Sequence, residues 1–215
     1  MNKKFKTERR EIKMTKTIID DGFAAYLVEG AEFDGLWEIP IINGVQDIET
    51  PKDIIPFDKK RLFSTEEKQK MWIHFYMHDT RFRPVITNTA KYLPELSQFG
   101  AVISPDCSLY VDMPLGYQLG SKMMNHAVGH FMEYNGVTVI PNVRWGDERT
   151  FEFCFQGFRL GGVFAISTLG CIRSNEEKRM FRLGLEKMIE KLRPKKVIVN
   201  GVMPVEVFSD FEQMT

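Results

Sequence analysis

The chain is poor in cysteine, balanced in charge and without a long apolar run. Three cysteines occur in 215 residues, at 107, 154 and 171, with no CxxC pair. Neither a disulfide framework nor a cysteine-rich zinc site is therefore indicated, and the thiols are expected to be reduced. Basic and acidic residues number 29 each, giving zero net charge. Bulk electrostatics thus provide no drive toward nucleic acid or acidic membranes, and only a local basic patch is left open. No stretch approaches the roughly 18 apolar residues of a membrane span, and the charged N-terminus leads into no apolar signal region. A cytoplasmic protein with no membrane partner is expected. Also missing are a Gly-rich phosphate loop, a GxSxG elbow, a GxGxxG turn and a CxxxCxxC cluster. ATP-driven, hydrolase-elbow, Rossmann and radical-cluster chemistries lose support accordingly, and no helix-turn-helix or RNA-binding signature is visible.

What is present describes a packed globular chain. Hydrophobic residues make up 43%, and the 17 Phe are scattered rather than clustered, which fits one domain with a sizeable core. Residues 1–16, MNKKFKTERREIKMTK, carry seven Lys or Arg against two Glu and read as a solvated basic arm. A phosphate-binding role for this arm is the functional alternative, and Met14 offers a second start. Residues 17–215 are expected to form a single α/β domain.

The runs GAVISPD, VTVIPNV, GVFAIST and KKVIVNG are continuously apolar rather than alternating, as strands buried on both faces are. MWIHFYMHD, Met71 to Asp79, reads as a further central strand, and the proline-interrupted FDGLWEIPIING and DIIPFDKKR as short strands or edge segments. Amphipathic patterns lie between them. In SNEEKRMFRLGLEKMIEKLRP, a stripe runs through Phe181, Leu185, Met188, Ile189 and Leu192, with a Ser174/Glu177 capping box and a closing Pro194. Leu119, Met123, Ala127 and Phe131 mark a second helix, and Phe151, Cys154, Phe155 and Phe158 predict a third. Alternating strands and helices imply a parallel sheet. Strands near Trp37, Ile73, Val102, Val139, Phe164 and Val197 fall short of the eight of a full barrel. The expected architecture is a partial or distorted TIM-like β/α barrel, with an open α/β sheet as the alternative.

Both architectures bind ligands beyond the carboxyl ends of their parallel strands. Here those ends carry His78 and Asp79; Ser104 and Asp106; Asn142, Arg144, Trp145, Asp147 and Glu148; Ser167, Thr168 and Gly170; and Asn200 and Gly201. Each has a structural counter-reading: Asp106 and Ser167 as helix caps, Gly170 and Gly201 as turn glycines, and Asp147 as the cap of the helix expected to follow it. Asn142 lies inside an apolar run and needs a partner if buried. Arg144 is a forked, permanently charged donor suited to carboxylate or phosphate, or to an internal ion pair with Asp147 or Asp106. Trp145 could stack a planar ligand or cover the helix expected to follow it. Asp79, Asp106, Asp112 and Glu148 are the acid–base candidates, and two facing carboxylates would suit glycosidic-bond chemistry.

No cofactor is expected, and a divalent metal is a secondary route. His126 and His130 have the four-residue spacing of a helical ligand pair but lack the Glu of HExxH, so core or surface histidines are the better reading. His74, Tyr76 and His78 share one face of their strand. Cys107 and Cys171 each follow a strand, with buried or incidental cysteine again the better reading.

The motifs ISPDCSLYVDMP, VIPNVRWGDERTFEFCFQG and AISTLGCI resemble those of the domain-of-unknown-function 4417 family, over about residues 33 to 205. That resemblance implies a bacterial, archaeal or viral source, often a phage or mobile element, and carries no reaction with it. The family pattern has an aromatic at the position of Cys107, which weakens any catalytic role for that thiol. In layout alone, the succession of polar strand ends is similar to the half-barrel of tRNA-guanine transglycosylase-like enzymes, without their zinc motif. Together these features lead to the expectation of a strand-end pocket for a small anionic or nucleotide-like ligand. Asp106, Glu148 and Asp79 are the catalytic candidates, and Asn142, Arg144, Trp145, Ser167 and Asn200 the binding candidates. A hydrolase or glycosyl-transfer enzyme is the leading expectation; a non-catalytic sequestering or protein-interaction role is the alternative, and homo-oligomerisation stays open.

Overall fold

The computed structural model of the protein describes residues 24–211; the expected basic arm and Met14 lie outside them. The described chain is α/β. It begins with a 3-10 turn, Ala25–Val28, and a small antiparallel hairpin of β1, Phe33–Asp34, with β2, Ile39–Pro40. Six parallel strands follow: β3 (Asp53–Pro56), β4 (Met71–His74), β5 (Ala101–Ile103), β6 (Val139–Ile140), β7 (Val163–Ser167) and β8 (Lys196–Asn200). The helices are α1 (Thr65–Lys68), α2 (Asp79–Thr87), α3 (Thr89–Leu96), α4 (Leu115–Tyr134), α5 (Asn175–Leu192) and α6 (Val205–Phe208).

The strands neighbour one another in chain order. β3-β4-β5-β6 form one four-stranded sheet and β7-β8 a two-stranded one. A single parallel bridge, Asn142 with Ala165, joins the two just past β6. There Ala165 N–H donates to the Pro141 carbonyl (2.9 Å) and Val143 N–H to the Ala165 carbonyl (2.8 Å). Among the described residues no ladder pairs β8 with β3. No helix among them is long and apolar enough to cross a membrane.

In β4 to β7 the continuous apolar runs are explained by burial on both faces, because successive strand side chains point to opposite sides. By contrast β8, paired on one side only, fully buries Val197 alone. On one face Ile55, Ile73, Val102 and Val139 pack with Phe82, Leu93, Val128 and Met132 of the helices. Phe164, Ile166 and Val197 do the same against Phe181, Leu185 and Met188 of α5. The intervening residues, including Trp72, Ile103, Ile140 and Ala165, meet in a separate cluster that also receives Ile54 of β3 and Ile198 of β8. Side chains from all six parallel strands therefore share one interior.

α5 starts as its sequence predicts: Ser174 Oγ accepts from Glu177 N–H while Glu177 accepts from the Ser174 N–H, and the helix ends one residue before a left-handed Arg193. Two expectations are corrected. The segment near Trp37 is not a strand of the parallel layer but the turn of the β1/β2 hairpin, with Glu38 at φ 49° and Trp37 exposed. The remaining parallel strand is β3, whose Pro56 is tolerated because an edge strand pairs on one side only. The segment after Trp145 is not an α-helix. A 3-10 turn, Glu148–Thr150, runs into further turns in which Phe151, Phe153 and Gln156 donate three residues back, and Gly157 at φ 80° redirects the chain. Phe153, Cys154, Phe155 and Phe158 are nevertheless buried, so burial alone produced the helical spacing.

Candidate functional site

A cleft of about 830 Å³ opens at the carboxyl ends of the central strands. Tyr76 and His78 reach it from beyond β4, Asp106 and Ser108 from beyond β5, Arg144 and Trp145 from beyond β6, and Ser167 and Cys171 from beyond β7. Phe181 and Glu177 of α5 form one wall.

The buried floor is a polar network inside an apolar surround. Asp106 is 5% exposed. Its Oδ1 accepts from Asn142 Nδ2 at 2.8 Å and lies 3.5 Å from Arg144 Nε. Its other oxygen has no hydrogen bond from the described residues. Asn142, predicted to need a partner if buried, has several: Oδ1 accepts from Tyr76 Oη (3.0 Å), Nδ2 also reaches the Pro105 carbonyl (3.2 Å), and its N–H donates to Ser104 Oγ (2.8 Å). Arg144 Nη1 donates to Cys171 Sγ at 3.2 Å. Of the alternatives for Arg144, the internal pair with Asp106 is the one seen, and it lies on the cleft floor.

Burial sets the electrostatics. It raises the Asp106 carboxyl above the usual carboxylate range, against the opposing pull of Arg144 and the Asn142 hydrogen bond. Burial opposes the Arg144 charge, and Asp106, with Cys171, Tyr76 and Asp79, outweighs it. Burial and then Asp106 push the Tyr76 hydroxyl well up, leaving it a neutral donor. Burial also raises the Cys171 thiol, despite the nearby Arg144.

The other predicted residues divide by position. Trp145, 7% exposed, is a cleft wall seated on α5, with ring centroids 4.9 Å from Phe181 and 6.0 Å from Phe155. Ser167 accepts from Asn200 Nδ2 (3.1 Å) and from Leu169 N–H (3.2 Å), so Asn200 acts on the rim through Ser167 without itself lining the cleft. Asp79 opens α2 and accepts from both Ser108 N–H (3.1 Å) and Ser108 Oγ (2.9 Å), bracing the loop after β5. Glu148 is exposed in its 3-10 turn and does not line the cleft, whereas Asp112 does. Asp147 caps that turn through Arg149 N–H. Sequence reasoning passed over Ser108, Glu177 and Arg173, all of which line the cleft. The available signal was the strand–Gly–Ser/Glu order of STLGCIRSNEE, which places a loop arginine between a strand end and a helix cap.

Three of the four histidines are engaged internally, and the fourth, His78, is exposed at the cleft. His74 Nδ1 accepts from Tyr76 N–H (3.1 Å) and its ring stacks on Tyr76; burial lowers it to about 4. His126 bridges Lys122 and the Pro40 carbonyl (2.8 Å), while His130 meets the Glu29 carbonyl (3.2 Å). Among the described residues no group of three or more His, Cys, Asp or Glu is placed to hold a metal ion.

Fold and cleft together define an α/β protein with a parallel sheet and polar residues gathered at the strand ends. The chain belongs to the family described as Domain of unknown function (DUF4417), which it matches over residues 31–215, somewhat further at both ends than the motifs suggested. It is 33% identical over 129 residues to the Gene 1 protein of Mycobacterium phage L5, covering 60% of this chain and 56% of that protein. It is 31% identical over 129 residues to the Gene 1 protein of Mycobacterium phage D29, covering 60% and 48%. The chain thus matches about half the length of these curated relatives. No solved structure matches it.

Proposed function

We propose that this protein, like the mycobacteriophage proteins it resembles, serves a phage or mobile element, and that its strand-end cleft binds a small nucleotide-like or otherwise anionic ligand. The parallel strands, wound in chain order around one shared interior, act as an incomplete β/α barrel with the cleft as its mouth. The observation that carries this reading is the Asp106–Arg144 pair on the floor of an open cleft, one carboxylate oxygen held and the other not.

Asp106 is the group that would act chemically. A carboxyl raised by burial and oriented by Asn142 is suited to proton transfer or nucleophilic attack in a hydrolase or glycosyl-transfer reaction. Glu148 is too far out to be its partner, and Asp79 positions Ser108 instead. No metal or cofactor is invoked. A second reading, sequestration without turnover, is favoured by the same pair, because Arg144 already neutralises Asp106 without any substrate.

The test is a thermal-shift screen of nucleotides and nucleosides, with and without divalent cations, followed by mass spectrometry for turnover. A specific shift that Arg144→Ala removes supports the cleft. A loss of turnover in Asp106→Asn larger than its loss of affinity assigns catalysis to Asp106; binding without turnover in the parent protein assigns sequestration. No shift by any compound sinks the ligand reading and leaves protein interaction as the role.

A further inference from the structure

Resting on that reading, we propose that the ligand is a nucleoside monophosphate bound base-first, with its phosphate held at the cleft mouth by Arg173 rather than on the floor by Arg144.

The floor is unsuited to an anion. Arg144 is engaged through Nε with Asp106 and through Nη1 with Cys171 Sγ. A phosphate placed beside it would face the buried Asp106 carboxylate, a like charge in a poorly solvated setting. What the pair does offer is the second Asp106 oxygen, an acceptor, next to Arg144 Nη2, a donor with no hydrogen bond to the described residues. That combination complements the adjacent N–H and carbonyl or ring nitrogen on a nucleobase edge. Trp145, Phe181, Leu109 and Val143 supply apolar lining around it, suited to a flat heterocycle.

The mouth is different. Arg173 lines the cleft, is exposed, and its guanidinium has no hydrogen bond or ion pair with the described residues. Only its backbone is engaged, donating to Glu177 Oε2 at 2.6 Å. Glu177 and Ser174 already cap the first turn of α5, so that turn does not bind the phosphate and Arg173 is the anchor. Asp112 and Glu177 add negative charge around the cleft. One phosphate is therefore accommodated, and a second or third gains nothing.

The experiment is calorimetric titration with adenosine, guanosine, cytidine and uridine, their 5′-monophosphates and triphosphates, and inorganic phosphate, on the parent chain, Arg173→Gln and Asp106→Asn. The expected result is one preferred nucleoside whose monophosphate binds about tenfold tighter, the scale of one exposed charge-assisted hydrogen bond. Its triphosphate binds no tighter than the monophosphate. Arg173→Gln removes the tenfold gain while nucleoside affinity stays within about twofold, and Asp106→Asn weakens nucleoside and monophosphate alike by about tenfold or more. If nucleoside and monophosphate bind equally, or the gain survives Arg173→Gln, the base-first assignment is overturned while the cleft reading stands. Because Arg173 is exposed, its variant folds, and circular dichroism checks this. If none of the compounds binds the parent chain, the cleft reading itself is wrong.

Discussion

Gly184 lies in the interior of α5, and a methyl group built there would sit 2.1 Å from Trp145 Nε1, 2.4 Å from Cε2 and 2.5 Å from Cδ1. In an open helix interior, Gly→Ala stabilises by roughly 0.8–1 kcal/mol. Here the neighbour is a flat, buried ring wedged against Phe181 and Phe155, so it cannot swing aside as the end of a flexible chain could. Reaching an ordinary contact of 3.4 Å requires a displacement of more than 1 Å. Overpacking of this kind costs about 1–3 kcal/mol, so Gly184→Ala is expected to lose roughly 1 kcal/mol net. Gly120 of α4 provides the control, since it is exposed and a methyl there meets nothing within 4 Å. Gly120→Ala should gain about 0.5–1 kcal/mol. Urea denaturation measures both, and each kcal/mol corresponds to roughly 2–4 °C in Tm for a chain of this size. Combining Gly184→Ala with Trp145→Ala should remove the penalty, a coupling of about 1–3 kcal/mol. If Gly184→Ala stabilises as much as Gly120→Ala does, Trp145 is not seated on α5 and the cleft wall is misplaced.

Other expectations follow from buried titratable groups and caps. Lys122, which donates to the Cys154 carbonyl at 2.9 Å, is lowered by burial to about 7 from an ordinary 10.5. Between those values the unfolded chain holds a proton that the folded chain releases, so stability should rise from pH 7 toward pH 10, and Lys122→Met should flatten that rise. His74, lowered to about 4 from 6.5, is the acid-side counterpart. The unfolded chain binds its proton first as pH falls through 6.5, so up to about 3 kcal/mol should be lost by pH 4, and His74→Asn should reduce the loss in pH-dependent urea melts. Ser174→Ala removes the side chain that caps α5 and should cost about 1 kcal/mol in the same assay; an unchanged midpoint would refute the capping box.

Legibility in the sequence tracked how local the determining interaction is. The bounds of α5 follow from a capping box and an apolar stripe within one segment. α4 was legible as a helix from Leu119, Met123, Ala127 and Phe131, yet the structure also buries its Gln118, Lys122, Asn125 and His126. Asn125, Lys122 and His126 reach partners far along the chain, the carbonyls of Cys107, Cys154 and Pro40, whereas Gln118 donates to the nearby Met113 carbonyl. A hydrophobic pattern has no means of showing a polar stripe satisfied from a distance. Pro84 and Pro94 lie inside α2 and α3 and interrupt the helical signature there. For the site, the strand-end rule brought Asp106, Arg144, Trp145 and Ser167 to one rim because parallel strands all end on the same side. It could not show that Glu148 turns outward, since that depends on the 3-10 turn after Asp147.

Arg144 and Trp145 are adjacent in the chain and differ in what they do. Trp145 packs on α5 and fixes a wall of the cleft, a role that burial energy alone would select. Arg144 and Asp106 gain much less by pairing. Taking both ions out of water costs several kcal/mol each, their attraction offsets that only with good geometry, and apolar replacements of the same size are often neutral or stabilising. At 3.5 Å the pair is not a tight bidentate bridge. Stability therefore gives little reason for two charges at the base of an open cleft, whereas a fixed acceptor beside a fixed donor is what recognition of a polar planar ligand requires. Arg144→Met combined with Asp106→Leu should accordingly leave thermal stability near that of the parent chain while abolishing ligand binding, and a large loss of stability with binding retained would reverse the assignment.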